Sequence, residues 1–230
     1  MPDIPLSLQL KKRIHKEIAL AQDVLVAQAY ESFPRCVLHG GTSVWRCYGG
    51  SRFSEDVDVY LPGSFSSKAE DQLRKGLLAK GMVELKFKKT ENTVFGNFSL
   101  AGAVVSFEAA LRRPPGRVLR DYEMLNGGTM LVAALPPEEL LVEKVSAYLS
   151  RRKVRDLYDV YFLLRSALKD PPDERSSGRS AKVRRSLVAL AAGYMSPLDE
   201  PQLKALILSG AVPRAEEMIE EVRNWERRST

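Results

Sequence analysis

Apolar residues recur about one helical period apart at Leu10, Ile14, Ile18, Ala21, Leu25 and Ala29, which predicts an amphipathic helix over residues 6–32. "RCVLH" (35–39) reads as a short strand. Gly40 and Gly41 break it, and "TSVWRCY" predicts a helix starting at Thr42 or Ser43. "DVDVYL" (56–61) is a strand, and "SSKAEDQLRKGLLAKG" (66–81) a helix capped by Ser66 or Ser67 and stopped by Gly81. Three strand-like runs follow, "MVELKFKK", "NTVFGNFSL" and "AVVSFEAAL", the first alternating apolar with charged residues as an exposed strand does. "TMLVAAL" (129–135) is a further strand or a connector. Beyond Pro136 and Pro137 the pattern turns helical, over 138–150, 154–168, 182–193, roughly 199–209 and 213–228, with a loop at 169–181. No internal repeat is visible. The expected fold is α+β: a small mixed-sheet domain with an N-terminal helix (1–135), then a helical C-terminal domain (136–230).

Composition narrows the class. Hydrophobic residues make up 44% of the 230, enough for a packed core. No apolar run could span a bilayer, and "MPDIPLSLQLKKRIHK" lacks the apolar core and cleavage site of a signal peptide, so a cytoplasmic protein is expected. Cys36 and Cys47 read as two reduced thiols; with His15 and His39 they have no zinc-ligand spacing. The formal charge is +6, and basic residues cluster in "LRRPPGRVLRD", "SRRKVRD" and "DERSSGRSAKVRR". Such clusters are either solvated surface or the footprint of a polyanionic partner.

The candidate chemistry lies in "HGGTSVWRCYGGSRFSEDVDVYL" (39–61). On a strand, Asp56, Asp58 and Tyr60 share one face and Val57, Val59 and Leu61 the other. In "VVSFEAAL", Val104, Ser106 and Glu108 share a side, so Glu108 joins the two aspartates if the strands are neighbours. Three carboxylates on one face repel unless cations lie between them. Mg²⁺ fits, since it takes oxygen ligands and leaves room for phosphates, and two ions about 3.5–4 Å apart would serve an in-line displacement on a triphosphate. The Gly40–Gly41 turn, opening a helix at Thr42 and Ser43, is an anion site in pattern. Arg52, in the loop before the acids, either touches phosphate or is exposed. Trp45 reads as core, His39 as a hydrogen-bonded structural residue, and Tyr158 and Tyr161 as core or base-stacking.

"GGTSVWRCYGGSRFSEDVDVYL" resembles the signature of the DNA polymerase β-like nucleotidyltransferases, and "RFSEDVDVY" is closer to the AbiEii/AbiGii-type abortive-infection toxins among them. "EELLVEKVSAYLSRRKVRDLYDVYFLL" (138–164) resembles that family's later motifs. The likeness covers about residues 35–165. It implies a nucleotidyltransferase core in which Gly40, Gly41, Thr42 and Ser43 hold the triphosphate and Asp56 and Asp58 are metal ligands. Ser54 falls at a functionally sensitive hydroxyl, Lys144 reaches the triphosphate, and Asp156 or Asp159 completes the site. Asp156 and Asp159 are i, i+3 on a helix, so one can orient Lys144 or Arg155; without the resemblance, Lys144 reads as a solvated lysine and Arg155–Asp156 as a surface ion pair. The implied reaction moves a nucleoside monophosphate from an NTP to a tRNA end or a protein hydroxyl. A toxin role brings a cognate antitoxin with it. Two alternatives stand beside this reading: a nucleotidyltransferase for a small molecule such as an aminoglycoside, and a non-catalytic nucleotide- or partner-binding protein of the same fold.

Overall fold

A computed structural model describes residues 5–62, 65–168 and 177–228, without the side chains of 177–180 and 228. The chain divides into two compact units, residues 1–49 with 53–135, and residues 50–52 with 136–230.

The first unit is built on a seven-stranded mixed sheet. Its elements are α1 (Leu6–Gln9), α2 (Arg13–Ser32), β1 (Val37–His39), α3 (Gly40–Tyr48), β2 (Asp56–Tyr60), α4 (Ser67–Ala79), β3 (Met82–Lys89), β4 (Thr93–Leu100), β5 (Ala103–Ala110), β6 (Val118–Glu123) and β7 (Thr129–Ala134). The strand order is β3-β4-β5-β2-β1-β7-β6; β2 runs parallel to β5, β1 parallel to β7, and the other neighbours are antiparallel. Helices α2 and α4 cover one face. Ala21, Leu25, Val26 and Ala29 of α2, with Leu73 and Leu77 of α4, close over Val57, Val59, Val105 and Phe107. The alternation of β2 follows: its valines enter this core, so its aspartates take the opposite face. The hydroxyl of Ser66 caps α4 by accepting from the Ala69 N–H (3.2 Å), and Gly81 leaves the helix at φ +83°.

The strand over 118–123 is not among the expected elements, because Arg120 follows Arg112, Arg113 and Arg117 and so reads as part of a surface cluster. Its signal is the Val118–Arg120–Tyr122 alternation, and Tyr122 is fully buried. The stretch 129–135, a strand or a connector by its pattern, supplies β7.

The second unit holds α5 (Pro137–Arg151), α6 (Val154–Ser166), α7 (Ser177–Gly193), a 3₁₀ turn (Glu200–Gln202), α8 (Leu203–Leu206) and α9 (Ala215–Arg228). Pro137 opens α5 where no N–H is missed, and Glu138 and Glu139 complement its dipole. Helix α5 packs on α6 and α7, and α9 on both α6 and α7, around Leu140, Leu157, Leu163, Leu187 and Val222. The expected helix at 199–209 is shorter. Pro201 sits in the 3₁₀ turn, and the chain leaves α8 at Ile207 to bridge Arg52, where the Leu208 N–H donates to the Ser51 carbonyl (2.8 Å). Of the expected loop at 169–181, residues 169–176 lie outside the described residues, and from Ser177 the chain is helical.

Candidate active site

In the first unit, strand register assembles the carboxylates. In the parallel β2–β5 pair Asp58 lies opposite Glu108 and Asp56 opposite Ser106, so all three acids share one sheet face. Across β1, His39 lies opposite Asp58, its ring stacked on Tyr60 at 4.1 Å. His39, Asp58 and Glu108 line a pocket of about 320 Å³ with Thr93 and Phe95 of β4. The donor set is all oxygen and half-buried to exposed, the type that suits a hard divalent cation. Among the described residues no three His, Cys, Asp or Glu side chains are closed into a group that could hold a metal ion. The expected joining of Glu108 with Asp56 and Asp58 is met in strand register and not as a closed cluster. Like charges on one face have no reason to converge without a cation.

The glycines act at closer range than an anion turn requires. Helix α3 begins at Gly40, earlier than the expected start at Thr42 or Ser43, directly from β1 and with no intervening loop. Gly40 has φ +70°, and a Cβ there would lie 1.9 Å from Asp58 Oδ2. The bare Cα therefore makes the space that the carboxylate occupies.

The two hydroxyls that follow turn inward. Thr42 donates to the Asp56 carbonyl and accepts from Gln22 Nε2 (3.3 Å), which also donates to the Ser54 carbonyl (2.8 Å). Ser43 is fully buried, its hydroxyl without a hydrogen-bond partner among the described residues, and burial pushes the Cys47 thiol one turn on up to about 12. In this structure the Thr42 hydroxyl fastens α3 to the sheet and the Ser43 hydroxyl is buried, so neither expected phosphate donor is turned outward, and the helix's first N–H groups are what the turn offers an anion. Ser54 is buried beside them. Trp45 is core, edge-on to Phe53. Beneath α3, Arg46 pairs with Asp23 and donates to the Tyr122 hydroxyl (3.1 Å), a buried tie that sequence could not show because its partners are far apart in the chain.

In the second unit a chain of charges runs through α5 and α6. Arg52 grips Asp159 with two hydrogen bonds of 2.8 Å, and Lys144 Nζ lies 2.8 Å from the same carboxylate. Lys144 is 3.9 Å from Asp156, which Arg151 holds at 2.7 and 2.8 Å. Both aspartates are fully buried. Burial alone would raise the Asp159 carboxyl, but Arg52 and Lys144 together outweigh it and hold Asp159 below the usual carboxylate range. The arrangement corrects three readings. Asp156 belongs to Arg151 rather than Arg155, and it is no surface pair. Lys144 is nearly buried rather than solvated. Arg52 is neither exposed nor loose. Tyr158 is buried with its hydroxyl bonded to Ser51 and pushed up to about 12 by burial. The basic cluster at 112–120 is also partly committed: Arg112 donates to the Tyr60 hydroxyl (2.9 Å), and Arg120 lies over the Tyr48 ring.

A sheet with an acid pair on one strand, a third acid in register on its neighbour and a glycine-opened helix beside them defines a nucleotidyltransferase-type core. The family described as "Nucleotidyl transferase AbiEii toxin, Type IV TA system" matches residues 23–206, and the chain belongs to it. It is thus a transferase of the nucleotidyltransferase class. No curated protein matches the chain. Among solved structures it is similar to JHP933 from Helicobacter pylori, at 18% identity and a TM-score of 0.60, over 92% of this chain and 93% of that one. A second H. pylori structure, named provisionally as a nucleotidyltransferase, gives 18% identity and a TM-score of 0.60 over 92% and 96% of the two chains. Both likenesses speak to the fold alone. No described helix is long and apolar enough to cross a membrane.

Proposed function

We propose that the protein transfers a nucleoside monophosphate from an NTP to a hydroxyl on a macromolecule, an RNA end (tRNA among the candidates) or a protein side chain, as the toxin of a toxin–antitoxin pair. The observation that carries this is the face shared by Asp56, Asp58 and Glu108, with Asp58 seated against the Cα of Gly40. The acceptor oxygen bonds to the α-phosphorus, the bond to the bridging oxygen breaks, pyrophosphate leaves, and the hydroxyl proton passes to a carboxylate or water.

Asp56 and Asp58, with Glu108, are the residues that would hold Mg²⁺, which when bound offsets phosphate charge and helps ionise the attacking hydroxyl. The N–H groups opening α3 at Gly40 and Gly41 would orient phosphate oxygens. Lys144 and Arg52 are the cations proposed for the triphosphate; Asp159 holds both in fixed positions. The test is incubation with each labelled NTP, Mg²⁺ and either total RNA or cell lysate, followed by gel separation. Label is expected in an RNA or protein band and to vanish with chelator. Label confined to small molecules would overturn the macromolecular acceptor, and no transfer at all would overturn the reaction.

A further inference from the structure

The same sheet face continues past the acids. Strand register extends the two acid rows outward. Glu108 lies opposite Phe95, and Phe95 opposite Lys88; Ser106 lies opposite Asn97, and Asn97 opposite Lys86. Residues paired in register share a face, so Phe95, Asn97, Lys86 and Lys88 stand on the side of Asp56 and Asp58. Lys89 turns to the other face, where it donates to the Phe65 carbonyl (2.9 Å). Helices α2 and α4 pack on that other face, and Lys86 and Lys88 are on the edge strand β3.

Phe95 forms a wall of the pocket that holds Asp58 and Glu108, at about 320 Å³ within the range of small-ligand sites. The Lys86 ammonium lies 5.4 Å from the Phe95 ring centroid. Asn97 keeps a buried side-chain oxygen with no hydrogen-bond partner among the described residues. In sequence, from the acids outward, the face presents carboxylates, an aromatic ring with an orphan acceptor beside it, and two cations.

We infer that this face is the acceptor dock, and that its occupant is the end of a single-stranded polynucleotide: the terminal base stacks on Phe95 and the preceding phosphates meet Lys86 and Lys88. The inference rests on the nucleotidyltransferase reading and gives it an acceptor class. Two features select a polynucleotide over a polypeptide. An aromatic face beside cations is the repeating unit of single-strand binding, one ring for a base and one charge for a phosphate. The order is right for a strand whose last hydroxyl must approach the acids while its phosphates stay clear of them. Exposed lysines next to carboxylates are also an ordinary way to blunt a sheet edge, but that purpose needs no ring in the pocket.

The test measures binding without catalysis. Fluorescence anisotropy of a short single-stranded RNA with a free 3′-hydroxyl is titrated with wild type, Phe95→Leu, Phe95→Tyr, and the double change Lys86→Glu with Lys88→Glu, at several salt concentrations. Phe95→Leu keeps bulk and loses the ring, and weakens binding roughly 5- to 150-fold; Phe95→Tyr restores stacking and binds close to wild type. The double change lowers the log–log salt slope by roughly 0.7 for each phosphate no longer neutralised. Circular dichroism melts confirm that each variant folds. Equal affinity in all four proteins, or no RNA binding by wild type, overturns the inference. Wild-type binding of a fluorescent NTP with Mg²⁺, measured in the same preparations, separates the failures: if the NTP binds and RNA ignores Phe95, only the dock falls, and if the NTP does not bind, the nucleotidyltransferase reading falls with it.

Discussion

Asp56 and Asp58 lie two residues apart on a strand, and Asp156 and Asp159 lie three apart on a helix; the two pairs meet opposite surroundings. The strand pair is half-buried, stands beside a third carboxylate in register, and is crowded by like charge. The helix pair is sealed from water and held by Arg52, Lys144 and Arg151, three cations against two acids. The first pair concentrates negative charge that a divalent cation would relieve. The second concentrates cations and uses the acids to fix them. One residue type thus meets like charge in one place and opposite charge in the other, and mutation should tell the proposed ligand pair from the brace.

The largest effect is expected at the strand pair. Asp58→Asn should reduce nucleotidyl transfer to background while the melting temperature stays the same or rises, because one charge leaves a repelling set. A radiolabel assay beside a thermal melt checks both halves, and near-normal turnover with Mg²⁺ would remove the ligand role. Asp159→Ala should do the reverse in kind, leaving Arg52 and Lys144 buried without their carboxylate at a cost of about 3–5 kcal/mol, read by urea denaturation. A loss under about 1 kcal/mol, the scale of an exposed pair, would mean the network is not a brace. Lys144→Ala is smaller: Arg52 still satisfies Asp159, and removing one charge-assisted bond to the triphosphate, worth about 1.5–3 kcal/mol, should lower kcat/KM for the NTP roughly 10- to 150-fold. Unchanged kinetics would make Lys144 purely structural.

The smallest effect sharpens the contrast through pH. Asp159 has a folded pKa below its unfolded value, so its stabilisation is present above the ordinary aspartate range near pH 3.9 and is lost as pH falls through the lower folded value. Acid titration of unfolding free energy below about pH 4 should show a slope that Asp159→Asn diminishes.

Much of the first unit was legible because strands repeat every two residues. That period alone puts Asp56 and Asp58 on one face and Glu108 on the facing side of its own strand. It could not say that β2 and β5 are neighbours, which is a matter of sheet order set by core packing. Strand β6 was hidden by Arg120 and the arginines just before it, since a charged residue on an exposed strand face looks like one on a loop. The charged network was least legible. Arg52 and Asp159 are 107 positions apart, and neither residue's spacing names the other. Arg151 reaches Asp156 only because the chain turns at Arg152, whose φ of +52° no local pattern announced. Thr42 and Ser43 misled for a different reason: hydroxyls at a glycine turn look like phosphate donors, and here both are buried, Thr42 bonded to the sheet.

Gly40 has a bearing on how relatives of this protein should be judged. A bulkier residue at that position would occupy the volume of the Asp58 carboxylate while leaving both aspartates of the D-x-D motif in place. A relative with that single change would still carry both acids and would have lost the packing of Asp58 against the bare Cα. The glycine is therefore a position that a survey reading only the acids would overlook, although a side chain there would displace the Asp58 carboxylate.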